Sequence, residues 1–192
     1  VSLWEENHYE LYMLLEELKK TGVTDLRAYI ADHPEFVEAA IKYAKIIDVN
    51  QATLNLFKSD NKKLFMRSLG STFTPQSMFV FIDLLVSIFN GNNVFESEIQ
   101  YKDLEGNYLD AIFKVVDPEK KEAGKTSIVS ITDITTRVET EKKLLTILEE
   151  KNTLLRELYH RTKNNMQVII AMLNLRSSML KEKSASIAFN EI

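Results

Sequence analysis

His160 lies in the stretch of the chain whose residue types are best suited to chemistry, with Glu157, Asn164 and the cations Arg156 and Lys163 within four positions of it. In a helix, which turns by about 100° per residue, Glu157 and Asn164 share the face of His160 and the cations flank it. A carboxylate can orient an imidazole and fix its tautomer, and cations attract phosphate oxygens. The pattern is typical of a phosphoryl acceptor, although a single exposed histidine on a charged helix usually has no function.

The segment around His160 is predicted to be one long helix, because residues 135–183 contain no glycine or proline over 49 positions. Its apolar residues recur every three or four positions, as in a coiled coil or bundle. The centre of this apolar stripe lies on the far side of the helix from His160, so His160 should face solvent. A stripe of this length needs a partner helix or a second chain. Its residues are Leu144, Leu145, Ile147, Leu148, Leu154, Leu155, Leu158, Tyr159, Met166, Ile169, Ile170, Leu173 and Leu180.

The part of the chain before this helix predicts an α+β fold, with helices flanking an antiparallel sheet. The hydrophobic period changes there from helical spacing to strand-like alternation. The predicted elements are a helix ending at Gly22, a helix capped by Thr24 or Asp25 and broken at Pro34, a strand over 45–50, a short helix capped by Asn50, a helix from Asn61 that ends at Gly70, a helix from Thr74 that ends at Gly91, and strands over 94–102, 108–116 and 126–134.

Composition excludes several other functions. The net charge of −4, from 24 basic and 28 acidic residues, is not that of a general nucleic-acid binder. The absence of cysteine excludes a disulfide framework, a thiolate zinc site, an iron–sulfur cluster and a cysteine nucleophile. No apolar run reaches the ~20 residues of a membrane span, and no signal pattern opens the chain. We expect a cytoplasmic protein without a metal site, in which His8 and His33 lie at the surface.

The residues around His160 resemble the phosphoacceptor box of sensor histidine kinases, in the subgroup that reads His-Arg-x-Lys-Asn-Asn-x-Gln. The matching segment is His160-Arg161-Thr162-Lys163-Asn164-Asn165-Met166-Gln167. The resemblance implies that His160 is autophosphorylated from ATP and passes the phosphoryl group to an aspartate of a response regulator. Arg161 stands where the more familiar kinases have an acid, so Glu157 is our candidate general base. The segment Ser184–Ile192 is similar to the opening of a second helix.

The preceding residues resemble a PAS sensor domain. Asp48-Val49-Asn50-Gln51-Ala52 is similar to the end of its early strand and the start of its first short helix. The stretch from Ile131 to Arg137 is similar to the Asp-Ile-Thr junction that ends PAS domains and starts a signalling helix. This resemblance makes Asp133, Ile134, Thr135 and Arg137 the expected signal junction, with Asp133 as a helix cap. The usual opening pair of strands is not visible before Lys45.

These resemblances divide the chain into three predicted parts. They are an N-terminal helical segment over 1–40, a PAS-like sensor domain over 41–135, and a signalling helix with part of a dimerisation and histidine-phosphotransfer domain over 136–192. No cofactor is expected in this chain, since a flavin adduct needs a cysteine and haem needs an axial ligand. Aromatic residues of the sensor either line a pocket or, as is more common, belong to the core. These are Phe79, Phe89, Phe95, Tyr101 and Phe113.

The predicted function is the sensory and phosphoacceptor part of a two-component histidine kinase. The glycines are isolated, so no nucleotide-binding boxes are recognised, and ATP and Mg²⁺ are expected to bind a catalytic domain outside this sequence. The chain alone is then expected to be a phosphorylation substrate and not a kinase. Expected partners are a second copy, that catalytic domain and a response regulator, and no nucleic acid or membrane. Two alternatives stay open: a PAS interaction module with an inert His160, and the sensory part of another output enzyme.

Overall fold

The computed structural model describes residues 1–119 and 122–189, with side chains described as far as residue 176. The chain divides into two compact units, Val1–Val138 and a second that begins at Glu139. The predicted α+β class is confirmed. The elements are β1 (Ser2–Asn7), α1 (Tyr9–Lys20), α2 (Leu26–Asp32), α3 (Glu35–Tyr43), β2 (Lys45–Val49), α4 (Gln51–Leu56), α5 (Lys62–Thr72), α6 (Pro75–Phe89), β3 (Val94–Lys102), β4 (Tyr108–Val116), β5 (Ser127–Asp133) and α7 (Thr135–Phe189).

The strands form one five-stranded antiparallel sheet in the order β2-β1-β5-β4-β3. The predicted ranges of β3 and β4 are confirmed to the residue. β3 and β4 pair over their whole length, from Val94 opposite Val116 to Lys102 opposite Tyr108. Alternate side chains, such as Ile99 and Tyr101, are buried on the face that the helices cover.

The expectation that no strand precedes Lys45 was wrong. β1 lies inside the sheet and pairs with β2 on one side and β5 on the other. Its buried face consists of Ser2, Trp4 and Glu6, and two of these three residues are polar. A strand whose inward positions are polar gives no alternation of apolar and polar residues, so hydrophobic periodicity cannot detect it. Helices α1, α2 and α3 take the place of a tight turn between β1 and β2.

Side-chain caps begin several of the helices. Asp25, Asn50 and Thr74 each accept a hydrogen bond from a backbone N–H three residues later, which confirms their predicted role. Asn61 caps α5 in the same way, but α5 does not end at Gly70 as predicted and continues to Thr72. Glycine costs about 1 kcal/mol inside a helix and does not by itself stop one.

A buried charged cluster, which we call the His8 cluster, joins β1 to the end of β4 and to β5. The prediction that His8 lies at the surface was wrong, since its exposed fraction is 0%. Its Nε2 donates to Glu6 Oε2 at 2.7 Å and its Nδ1 to Asp117 Oδ1 at 3.1 Å. Ser127 donates to the same Asp117 oxygen at 2.6 Å, and Tyr12 Oη lies 3.1 Å from Ser127 Oγ.

The His8 cluster holds His8 in its protonated form. Burial alone lowers the pKa of His8, but the hydrogen bonds and charges of Asp117 and Glu6 outweigh burial and raise that pKa from 6.5 to about 9. Burial alone also raises the pKa of Asp117, yet its hydrogen bonds with His8 and Ser127 keep that pKa below 3.8. The two carboxylates and the imidazolium therefore stabilise one another near neutral pH.

We expect the stability of the first unit to fall in mildly alkaline solution. The pKa of His8 is higher in the folded state, about 9, than its ordinary 6.5. Its contribution is therefore present in full below pH 6.5 and is lost as the pH rises through about 9. The contribution is on the order of 3 kcal/mol. Urea unfolding at several pH values should show this loss. His8→Gln should flatten the dependence, whereas His33→Gln, at an exposed site, should not. Parallel pH dependences for wild type and His8→Gln would contradict the assignment.

Candidate functional site

His160 projects from α7, whose sequence favours a helix because it contains no glycine or proline. His160 is exposed, as are all the described residues of α7 from Glu139 to Arg176. α7 continues through Ser184 to Phe189, so the predicted second helix does not begin at Ser184, and residues 190–192 lie outside the described residues. The imidazole is thus presented to solvent on a regular helix.

The surroundings of His160 form a shallow, open groove on the surface of α7. Asn152, Leu155, Arg156 and Tyr159 line the groove together with His160. The rings of Tyr159 and His160 lie 6.2 Å apart at an angle of 76°. Among the described residues, His160 has no hydrogen bond and no ion pair. Asn152 and Tyr159 were not among the predicted site residues. Asn152 lies about two helical turns before His160, and Tyr159 lies about 100° around the helix from it. Neither residue has the spacing of three or four positions on which the prediction depended.

Glu157 pairs with Arg161 and not with His160. The Arg161 guanidinium donates to Glu157 Oε1 one helical turn away, and both side chains are more than half exposed. Glu157 and Arg161, both predicted site residues, are therefore in contact with each other. Lys163, Asn164 and Asn165 are exposed, and among the described residues none of them forms a hydrogen bond or ion pair with His160. The site therefore consists of an accessible imidazole and nearby polar side chains that are not hydrogen-bonded to it.

The predicted apolar stripe is present on α7, and its described members are exposed. Leu148 is 53% exposed and Leu155 is 52% exposed. Exposed apolar surface of this extent is typical of an association site. Leu180, the last predicted member, lies outside the residues whose side chains are described. The stripe therefore offers a surface through which α7 can pack against another helix.

The junction between β5 and α7 is held by hydrogen bonds to β4. Ile134 is buried and donates its backbone N–H to Asp110 O at 2.8 Å. Thr135 Oγ1 accepts from the backbone N–H of Asp110 at 3.0 Å, and Asp133 Oδ1 accepts from the N–H of Thr135 at 2.8 Å. Asp133 thus bonds at the start of the helix, as predicted. Within the described part of the chain, Arg137 forms no ion pair with Asp133.

The first unit contains a cavity of about 100 Å³ between the sheet and the helices. Of the aromatic residues predicted near a pocket, Tyr101 and Phe113 line it, whereas Phe79 is 69% exposed. Phe89 and Phe95 pack in or against the core. Among residues 1–119 and 122–189, no helix is long and apolar enough to cross a bilayer. Among the residues whose side chains are described, 1–119 and 122–176, no cluster of three or more side chains is able to hold a metal ion.

Comparison with known families assigns part of α7. Residues 157–192 match a family model described as histidine kinase, and this range includes His160. The match supports a histidine kinase phosphoacceptor and dimerisation region of the kind used in two-component signalling. No curated protein matches the chain.

We expect the three histidines of the chain to differ strongly in chemical reactivity. His160 and His33 are exposed, whereas His8 is fully buried and bonded through both ring nitrogens. Diethyl pyrocarbonate should modify His160 and His33 at least about tenfold faster than His8, as measured by mass spectrometry of the peptides. Slow modification of His160, at the rate of His8, would show that its ring is covered in solution.

Proposed function

We propose that this chain is the sensory and phosphoacceptor part of a two-component histidine kinase. An unprotonated nitrogen of His160 attacks the γ-phosphorus of ATP, the bond to the bridging oxygen breaks, and ADP leaves with the electron pair. The phosphoryl group then passes to a carboxylate oxygen of an aspartate in a response regulator. The observation that carries the proposal is an exposed His160 within the segment that matches the histidine kinase family.

Other groups near His160 are proposed to assist without reacting. Glu157 is our candidate base. In this role its carboxylate must leave the ion pair with Arg161 and hydrogen-bond to His160. Asn164 and Asn165 can donate hydrogen bonds to phosphate oxygens, and Lys163 and Arg161 can attract them. ATP and Mg²⁺ belong to a catalytic domain outside this sequence. A cytoplasmic location is part of the proposal, because ATP is the phosphoryl source.

The first unit is proposed to be a PAS-like sensor. An antiparallel sheet with helices between its second and third strands supports this assignment. β1 supplies the opening strand that the sequence had not suggested. The proposed boundaries remain 1–40, 41–135 and 136–192, although α1 and β1 share one core with the rest of the first unit.

A second candidate function is an interaction module in which α7 only joins chains. The observation that favours it is the exposed apolar stripe, combined with the pairing of Glu157 to Arg161 instead of His160. In this case His160 carries no phosphate. The phosphorylation experiment below distinguishes the two functions.

The phosphotransfer proposal predicts labelling of one histidine. When a histidine kinase catalytic domain is fused after residue 192 and ATP is added, His160 should acquire acid-labile phosphate. His160→Gln should abolish labelling, because the nucleophile is removed, whereas His33→Gln should leave it unchanged. Glu157→Gln should slow labelling by about 10²-fold if Glu157 is a general base. Undiminished labelling of His160→Gln would refute the assignment.

The proposal also predicts a homodimer joined through α7. Replacing Leu148 and Leu155 with lysine places charges at the proposed seam, and the dimer should weaken by several kcal/mol. Thr146→Lys with Thr153→Lys is the matched control. It adds the same charge at the same seven-residue spacing, on the opposite face of the helix. Sedimentation equilibrium measures both pairs. Equal effects of the two pairs would exclude the stripe as the interface.

The third expectation concerns the junction from β5 to α7. Asp133→Ala removes the hydrogen bond to the N–H of Thr135 and should cost about 1 kcal/mol, enough to loosen the helix start but not to unfold the unit. We expect it to change the rate of His160 phosphorylation in the fused kinase. Asp133→Asn keeps an acceptor oxygen and should behave like the wild type. A rate that follows thermal stability alone in both variants would mean that the junction is only structural.

A further inference from the structure

The cavity of the first unit has almost entirely apolar walls. Trp4 from β1, Ala44 at the end of α3, Phe81 from α6 and Phe113 from β4 are among the residues that form them. A cavity of about 100 Å³ is somewhat smaller than the roughly 150 Å³ apolar cavity that binds benzene. It therefore suits a ligand with a small apolar body.

Three polar side chains, those of Glu6, Ser77 and Tyr101, interrupt these apolar walls. The hydroxyl of Ser77 is already hydrogen-bonded to the backbone of Thr74. Glu6 binds His8 through Oε2 only, and among the described residues Glu6 Oε1 and Tyr101 Oη have no hydrogen-bond partner. Every buried side-chain nitrogen and oxygen in the described part has a partner, so Glu6 Oε1 and Tyr101 Oη each keep some accessible surface. Both residues line the cavity, and their exposed fractions are only 7% and 1%. A ligand in the cavity can therefore meet one carboxylate oxygen and one hydroxyl.

The His8 cluster places a negative charge at the wall of the cavity that Glu6 forms. Glu6 and Asp117 contribute two negative charges and protonated His8 one positive charge, so the cluster carries one net negative charge. Burial and the charge of Glu6 raise the pKa of Tyr101, so its hydroxyl remains protonated and neutral. Negative charge beside apolar walls favours a cation and opposes a carboxylate.

We propose that the cavity binds a small organic cation, a primary ammonium on a short apolar chain, whose N–H groups donate to Glu6 Oε1 and Tyr101 Oη while the chain fills the space between Trp4 and Phe113. Glu6 sets the preference for a cation, and the volume limits the chain to about four carbons. This inference does not depend on phosphotransfer at His160, because the cavity lies wholly in the first unit.

The experiment uses n-butylammonium as the probe, with butyrate and 1-butanol as isosteric anionic and neutral controls. Trp4 is the only tryptophan of the chain, is 3% exposed and lines the cavity, so its fluorescence reports binding directly. We expect saturable fluorescence changes with n-butylammonium. The dissociation constant should be at least about tenfold higher for butanol, and butyrate should not bind.

Variants test each part of the site. Glu6→Gln should weaken n-butylammonium binding roughly tenfold or more, whereas Glu10→Gln, which removes an exposed carboxylate paired with Lys45, should not change it. Ala44→Leu fills the cavity without touching the His8 cluster and should abolish binding. Tyr101→Phe keeps the ring and should weaken binding severalfold. The last two variants keep the test decisive if Glu6→Gln unfolds.

Three results would overturn the inference. They are butyrate or butanol binding as tightly as the amine, no saturable change with n-butylammonium, and an unchanged dissociation constant in Ala44→Leu.

Discussion

The simultaneous pairing of β1 with β2 and β5 is the constraint on which the first unit depends. Among the described strands, β2 is an edge strand that pairs with β1 alone, so without β1 it would leave the sheet. β5 lies on the other side of β1 and leads directly into α7. The first residues of the chain therefore hold together strands that are far apart in sequence. Contacts of such high sequence separation slow folding, because a long loop must close before they form.

The His8 cluster explains why β1 takes one register. Burying two carboxylates and an imidazolium is costly, and such groups are tolerated when every one is paired. Glu6 can reach His8 only while Trp4 also faces the core. A shift of β1 by one residue would turn both side chains to the other face of the sheet. The charged pairing thus adds specificity to a strand that has little apolar surface of its own.

The sequence predicts what local chemistry determines. The ranges of β3 and β4 and the helix starts at Asn50 and Thr74 follow from short-range patterns. The predictions that failed concern residues whose partners lie far away in the sequence. His8 contacts Asp117 across 109 positions, so no spacing rule connects them. β1 was missed for a related reason. Two of its three inward residues are polar, and their partners, Thr53 for Ser2 and His8 for Glu6, do not show in a pattern of hydrophobic alternation.

The candidate site was likewise only partly predictable. Helical periodicity placed Glu157 and Asn164 near His160, and the family resemblance added Arg161, but neither could decide which pairs would form. An i, i+4 ion pair is available to Glu157 within its own helix, whereas the three-residue step to His160 offers an uncharged ring unless it is protonated. The Glu157 carboxylate therefore pairs with the Arg161 guanidinium.

The ion pair between Glu157 and Arg161 is weak enough to be exchanged for other partners. An exposed i, i+4 pair contributes only about 0.3–0.5 kcal/mol. A catalytic domain that brings phosphate oxygens to Arg161 gives the guanidinium a partner with two or more acceptors, and charge-assisted bonds of that kind are stronger. Glu157 would then be released beside His160 at the moment the phosphoryl group arrives. Under the proposed function, the incoming domain would supply the preorganisation that phosphoryl transfer needs, and α7 would only have to keep His160 accessible and the ion pair easy to exchange.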